Sequence, residues 1–328
     1  MFRLIRSFIF IISILFTGCK EDSNPVIPEN KLVFSDSIPL NSLSNGIICF
    51  ERISDAYHQG VCIIDINNQK KRAITGLFNA PVISPDGLKI AYSGDTGSPQ
   101  LLWDIFIMNT DGTESKDISL INGMESYPSW SNDSKNIFYL NYYSQWTTLY
   151  NLNKQELYKT VTIPQTPFSY FESKGMIFYD GIGSGAMPTV KFYNLSTHNV
   201  SNLCASTGSG DIYTPRWSPD GNKIVFVQEK MDSFNNEFFN AGGIIQIYNT
   251  ITSELNTIYE WNCDKHLSWA GDNELSICWS PDGNKLLFNR TNNGFESHIY
   301  IINVDGSGLK QITSEPGVSD RSVSWSSQ

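Results

Sequence analysis

The sequence predicts an all-β fold: a six-bladed β-propeller of four-stranded blades, its ring closed by the C-terminal strand joining the N-terminal blade. Three observations predict it. A turn motif recurs as Ile83-Ser84-Pro85-Asp86-Gly87, Trp217-Ser218-Pro219-Asp220-Gly221 and Trp279-Ser280-Pro281-Asp282-Gly283. The first two stand about three units of roughly 45 residues apart, the length of one four-stranded blade, and the last two one unit plus an insertion. Finally, Ser324-Trp325-Ser326 begins a motif at one end of the chain that Asn45-Gly46-Ile47-Ile48-Cys49-Phe50 completes at the other. The composition agrees, since 328 residues with 40% hydrophobic and 17% charged side chains supply a core and exclude a disordered or fibrous chain.

Taken in order, residues 1–18 read as a signal segment. Arg3 and Arg6 precede an apolar run from Phe8 to Phe16, too short for a permanent membrane span, and Thr17-Gly18 supply the small residues of a cleavage site. Cys19 directly after that pair resembles a bacterial lipobox, which implies acylation of its thiol and attachment to a membrane through the lipid. Phe16 departs from the usual leucine, and ordinary signal cleavage beside an incidental cysteine is the alternative. Lys20-Glu21-Asp22 resembles the signal that exports lipoproteins to the cell surface in Bacteroidetes-like bacteria. The expected location is therefore the bacterial outer membrane, facing the surface or else the periplasm. Residues 19–44, with Pro25 and Pro28 among Asn and Ser, read as the lipidated cysteine and a flexible tether.

Five cysteines follow: Cys49, Cys62, Cys204, Cys263 and Cys278. An odd number spread this widely is no disulfide framework, and buried thiols are the expectation. Cys49 and Cys62 are placed to face each other across a hairpin, and Cys263 and Cys278 flank one insertion.

The propeller is expected over 45–328. In each turn Pro presets φ, Asp bonds nearby backbone and Gly takes a positive φ, while β-branched and aromatic residues on both sides have strand character. Trp130-Ser131-Asn132-Asp133-Ser134 is a variant copy, and Lys89-Ile90-Ala91-Tyr92, Ile137-Phe138-Tyr139, Lys223-Ile224-Val225-Phe226 and Lys285-Leu286-Leu287-Phe288 are the strands that follow. A second hairpin recurs through Asp111-Gly112 and Asp305-Gly306. Asp86 to Asp133 is 47 residues, but Asp133 to Asp220 is 87, so a degenerate unit must lie between; Phe168 to Phe178 supplies it. Asp220 to Asp282 is 62 residues, one unit plus an insertion.

The Trp-Ser-Pro-Asp-Gly-x-Lys-Ile/Leu repeats at 217–224 and 279–286 resemble those of TolB-type six-bladed propellers, over roughly 45–328. The resemblance implies a fold rather than a function. TolB-type proteins carry an additional N-terminal α/β domain, for which residues 20–44 are too few.

Loop lengths single out one face. On the face of the Pro-Asp-Gly turns every connection is short. On the other, connections near 93–103, 141–147, 180–189, 228–243, 259–274 and 289–297 are long and aromatic, the kind of segment that carries binding on a rigid scaffold. Tyr57, Trp103, Tyr142, Tyr143, Trp146 and Phe238 are candidates there for holding a protein or glycan. Tyr127, Asp211, Tyr213 and Arg321 are candidates at the central channel. Trp130, Trp217, Trp279 and Trp325 hold one motif position and read as inter-blade packing.

Catalytic signals are sparse. Gly181-Ile182-Gly183-Ser184-Gly185 has the wrong spacing for a nucleophile elbow, and neither a phosphate loop nor a His-Glu-x-x-His pattern occurs. Asn303-Val304-Asp305-Gly306 reads as a β-turn rather than half a calcium loop. His58, His266 and His298 fall beside long loops; convergent, they would serve a metal-dependent polysaccharide lyase or hydrolase. That is the alternative to a non-catalytic binding role with no cofactor. Loss of Arg3 and Arg6 takes the formal charge from −10 to about −12, which argues against nucleic acid as a partner.

Overall fold

The computed structural model describes residues 43–54, 59–95, 103–119, 124–141, 146–161, 168–171, 174–180, 189–194, 196–205, 210–234, 237–267, 275–293 and 296–327. The described residues are all-β. The chain begins with β1 (Ile47–Ile53), β2 (Gln59–Asp65) and β3 (Lys70–Thr75). Four four-stranded antiparallel sheets follow. The first is β4 (Phe78–Ile83), β5 (Lys89–Asp95), β6 (Trp103–Asn109) and β7 (Lys116–Asp117); the next is β8 (Glu125–Trp130), β9 (Asn136–Asn141), β10 (Trp146–Asn151) and β11 (Glu156–Val161). Then come β12 (Phe168–Phe171), β13 (Gly175–Asp180), β14 (Thr189–Tyr193) and β15 (Val200–Ala205), and β16 (Ile212–Trp217), β17 (Lys223–Phe234), β18 (Glu237–Asn249) and β19 (Leu255–Leu267). Last are β20 (Ile277–Trp279), β21 (Lys285–Asn293), β22 (Glu296–Asn303), β23 (Lys310–Gln311) and β24 (Ser319–Trp325). β20–β23 meet the set β24-β1-β2-β3 through one parallel bridge, Ser297 to Ser319. The C-terminal strand thus joins the N-terminal ones, as the split motif predicts, and the architecture is a β-propeller.

The turn motif works through its serine as well as its Pro, Asp and Gly. Ser218 Oγ donates to Asp220 Oδ1 at 2.5 Å and accepts from Lys223 N at 2.9 Å, while Asn222 N donates to the same carboxylate. Gly221 takes φ +69°. Ser84 with Asp86, Ser131 with Asp133 and Ser280 with Asp282 repeat the bond at 2.6 Å. Ser134 fills the glycine position at φ +59°. Asn303–Gly306 is a turn as expected, Gly306 N donating to Asn303 O and Asp305 accepting from Ser307. The degenerate unit is real, since β12 pairs with β13 from Phe168–Phe178 to Phe171–Gly175.

Two expectations are corrected. Cys49 lies opposite Ile63 and Cys62 opposite Phe50, so the two thiols sit one residue out of register and point to opposite faces of the sheet. Each packs in a different core, and Cys49, Cys62, Cys204 and Cys278 are thiols rather than disulfides. The long connections at 228–243 and 289–297 are mostly strand. β17 and β18 stay paired to Phe234–Glu237, and β21 and β22 to Asn293–Glu296, because the cross-strand ladder continues through residues read as loop.

Apolar layers fill the spaces between adjacent sheets. One joins Val225, Ile245 and Trp261 of β17–β19 to Ile277, Leu286, Phe288 and Tyr300 of β20–β22. Gly243 lets the strand approach there: a Cβ on it would stand 2.3 Å from the Trp261 ring. The motif tryptophans pack as expected, with Trp130 Nε1 donating to Val82 O at 3.0 Å and Trp279 Nε1 to Arg216 O at 3.1 Å.

Candidate functional site

β4, β8, β12, β16, β20 and β24 each supply wall to one central cavity of about 350 Å³. Three of these strands carry a proline, at 81, 128 and 215, which has no N–H for a sheet ladder. The ladder skips there. Ala80-Pro81 together face Tyr92, Tyr127-Pro128 face Tyr139, and Thr214-Pro215 face Phe226. In β24, Ser322-Val323 face Phe50 in the same way. The first residue of each pair is left-handed: Ala80 at φ +49°, Tyr127 at +56°, Thr214 at +43° and Ser322 at +55°. Such bulges re-aim side chains and backbone polar groups, and residues held in strained regions of φ/ψ space cluster at functional sites. All four line the cavity.

Around the wall, hydroxyls of one inner strand accept backbone N–H groups of the next. Ser169 Oγ accepts from Trp217, Thr214 Oγ1 from Ile277, Ser276 Oγ from Val323 and Ser324 Oγ from Ile83, at 3.1–3.4 Å. This stitching gives strand donors a partner where no neighbouring strand pairs with them.

Immediately before the motif tryptophan position, each inner strand places one residue on the wall: Val82, Ser129, Ser169, Arg216, Cys278 and Ser324. Five are small and neutral, and the sixth is arginine. Among the described residues lining the cavity there is no carboxylate, lysine or histidine. Arg216 Nη1 donates to Pro215 O at 3.2 Å, and its backbone carbonyl is held by Trp279. Burial pushes its guanidinium down to about 10, with Cys278 working the other way. Burial pushes the Cys278 thiol up to about 12, eased by Arg216. At neutral pH the site therefore holds a cation beside a neutral thiol.

Of the residues expected at the channel, Tyr127 lines the cavity. Tyr213 packs against the layer between β17–β19 and β20–β22, and the Asp211 carbonyl accepts from Glu229 N at 2.9 Å. Arg321 is committed to the closing strands, its Nε 3.1 Å from Glu51 Oε2. Trp103 opens β6 opposite Asp95, half-buried. Tyr57, His58, Tyr142 and Tyr143 lie outside the described residues, as do the side chains of Trp146, Phe238 and His266. His298 is buried on β22, and the described residues contain no group of three metal-ligating side chains. Cys19 and the signal segment also fall outside the described residues, among which no helix is long and apolar enough to cross a membrane.

Sequence reasoning missed Arg216. Its signal was the alignment of repeats at the position before the tryptophan, where one arginine stands among small residues. A buried acid also escaped notice: Glu125, fully buried at the start of β8, accepts from Asn141 and lies beside Asp104 of β6. Burial, and then Asp104, push the Glu125 carboxyl up to about 8.

Compared with known proteins, the chain matches no family model and no curated protein sequence. Among solved structures it is similar to TolB from Acinetobacter baumannii, with a TM-score of 0.66 and 20% identity over 86% of this chain. The match spans 66% of that TolB, just under two thirds of its length. It is also similar to a chain in a nidogen/laminin complex, with a TM-score of 0.58 and 7% identity over 86% of this chain and 98% of the other. The fold is that of a TolB-like β-propeller.

Proposed function

We propose that this chain is a non-catalytic binding or scaffold propeller of the bacterial cell envelope, holding a protein or glycan partner. Its anchor is a lipid on Cys19 at the outer membrane, with residues 19–44 as tether. The observation that carries the binding role is the central cavity, where six inner strands converge, four bulges hold strained residues toward one space, and a single arginine replaces a small residue. Cavities of this size with a few convergent polar groups are the ordinary form of a binding site. That a similar propeller occurs in a nidogen/laminin complex supports a protein partner.

The test is photo-crosslinking in intact cells of the source organism, with a benzophenone amino acid at Tyr127 in the cavity or at Tyr142 in the connection between β9 and β10, and protease accessibility on the same cells. A dominant protein adduct from Tyr127 is the expected result. An adduct from Tyr142 alone would move the site to the connections read as long in the sequence. No protein adduct together with binding on a glycan array would make the partner a glycan, and neither would overturn the binding role.

A further inference from the structure

We propose that Glu125 and Asp104 hold a hard divalent cation of the calcium class between the sheet β4–β7 and the sheet β8–β11. The site is separate from the central cavity and does not rest on the binding role above. Acidic side chains of three strands meet here: Asp104 of β6, Asp117 of β7 and Glu125 of β8. The Asp104 carboxyl stands within hydrogen-bonding reach of both others. A carboxylate only accepts, so contact between two of them is repulsive until a proton or a metal ion enters between them. No lysine, arginine or histidine offsets Asp104 and Glu125 among the described residues. Lys116, next to Asp117 in the chain, is turned to Gln155 Oε1 at 3.0 Å.

Unpartnered buried oxygens point to the same place. Glu125 is fully buried; its Oε1 accepts from Asn141 Nδ2 at 2.5 Å, while its Oε2 has no hydrogen-bond partner. The hydroxyls of Ser93 and Thr148, both buried, have none either. Ala91 and Tyr139 belong to the apolar layer between these two sheets. Ser93 is two residues from Ala91, Thr148 stands opposite Tyr139, and Asn141, two residues from Tyr139, stands opposite Glu125. Strand alternation therefore turns Ser93, Thr148 and Glu125 into that one layer. A proton shared by Glu125 and Asp104 would relieve that contact alone, leaving Asp117 against Asp104 and both hydroxyls idle. A hard cation answers all of them, because it gathers about six to eight oxygens of mixed kind, and a donor set of oxygens alone does not suit zinc or copper. Exposure falls from Asp117 through half-buried Asp104 to Glu125, which gives the ion a path from solvent. Asp117 supplies charge at that entrance rather than a ligand, since no three metal-ligating side chains converge among the described residues. Calcium suits a buried carboxylate better than magnesium, which sheds its water reluctantly. In the ion-free protein a proton takes the place of the metal.

The experiment uses the full chain, stripped with EDTA and exchanged into chelator-free buffer. Calcium is titrated by calorimetry, and terbium luminescence, sensitised through Trp103 beside Asp104 in the chain, reports where the ion sits. The expected result is one calcium site with a Kd on the order of 10⁻⁴ M. Calcium at ten times that Kd should raise the thermal midpoint by about 2–4 °C. Magnesium should bind more weakly, on the order of tenfold. Glu125→Gln and Asp104→Asn should each weaken calcium binding on the order of tenfold or more and abolish the terbium signal. Asp305→Asn, at an exposed turn, should change neither. Both site variants remove a repelling carboxylate, and thermal unfolding without ions checks that they fold; should one fail to fold, the other decides.

No calcium binding by the native chain overturns the proposal and leaves a proton as the bridge between the two carboxyls. Calcium binding that survives both site substitutions overturns it too, because the ion then sits elsewhere. Magnesium bound as tightly as calcium overturns the calcium class.

Discussion

The pairing of β16 with β17 and that of β24 with β1 occupy equivalent places in the ring, yet they are held in register by different means. β16 and β17 are joined by the Ser218–Gly221 turn, and its bonds among Ser218, Asp220 and Lys223 set which residues face each other. β24 and β1 come from opposite ends of the chain, with Arg52 opposite Asp320 and Glu51 opposite Arg321. There the register is written in charge. Arg52 is fully buried and grips Asp320 with two bonds, Nε to Oδ1 at 2.7 Å and Nη2 to Oδ2 at 2.8 Å, while its Nη1 reaches Glu315 at 2.8 Å. Arg321 holds Glu51 through Nε and Nη2, each at 3.1 Å. A one-residue slip in either direction would set one pair of like charges against each other, leave the other charge opposite a serine, and turn every side chain to the wrong face. A hairpin acquires its register locally, whereas a ring closed by its ends must encode register in the side chains that meet.

The largest way to break this comparison is Arg52→Leu. It strands Asp320 without its bidentate partner in a buried site, and the expected loss is about 3–5 kcal/mol, read from urea midpoints at constant m. The double change Arg52→Met with Asp320→Leu should recover most of that stability. If charge sets register, the double variant will show weaker protection of the β1–β24 amides in hydrogen exchange even where its midpoint is native.

On the hairpin side, Gly221→Ala forces a side chain into φ +69° and should cost about 1–2 kcal/mol. The same change should leave exchange in β24 and β1 untouched, because the damage is local. Asp220→Asn should cost about 0.5–1 kcal/mol at pH 7. The bond from Ser218 holds the Asp220 carboxyl below its ordinary value. Its contribution is therefore present above pH 4 and lost as pH falls through the lowered value, so the variant's stability should fall less steeply below about pH 4 than the native protein's.

Glu125 sharpens the contrast with the opposite sign. Its carboxyl, raised to about 8 by burial and Asp104, binds a proton in the folded state that the unfolded chain releases near its ordinary value. Native stability should accordingly decline as pH rises from about 5 to 8. Glu125→Gln imitates the protonated form, so it should change little at pH 5 and flatten that decline, measured by thermal unfolding across the range.

The turn copies, the degenerate unit at Phe168–Phe178 and the split motif at the ends were legible because each is a local pattern whose residues act on neighbours a few positions away. The extents of β17–β19 were less so: 228–243 mixes polar and aromatic residues, and pairing across the sheet, rather than alternation along one strand, decides that it continues as ladder. At the site, Tyr127 could be placed on an inner strand from its motif, and it lines the cavity, whereas the bond from Arg321 to Glu51 was not legible because the two lie 270 positions apart. Arg216 stood in plain view, one residue from a motif tryptophan, but its meaning depends on what five other strands place beside it.

By itself, the sequence determined the repeating turn, the strand that follows it and the way the two chain ends complete one another, since these rest on φ preferences, glycine freedom and short-range bonding. Only the tertiary structure decided that the prolines of three inner strands become bulges around one cavity, that the thiols of Cys49 and Cys62 face apart, and that one arginine shares a wall with the small residues of five other strands. Those outcomes depend on register and on convergence of distant strands, and both are properties of the closed ring rather than of any stretch of chain.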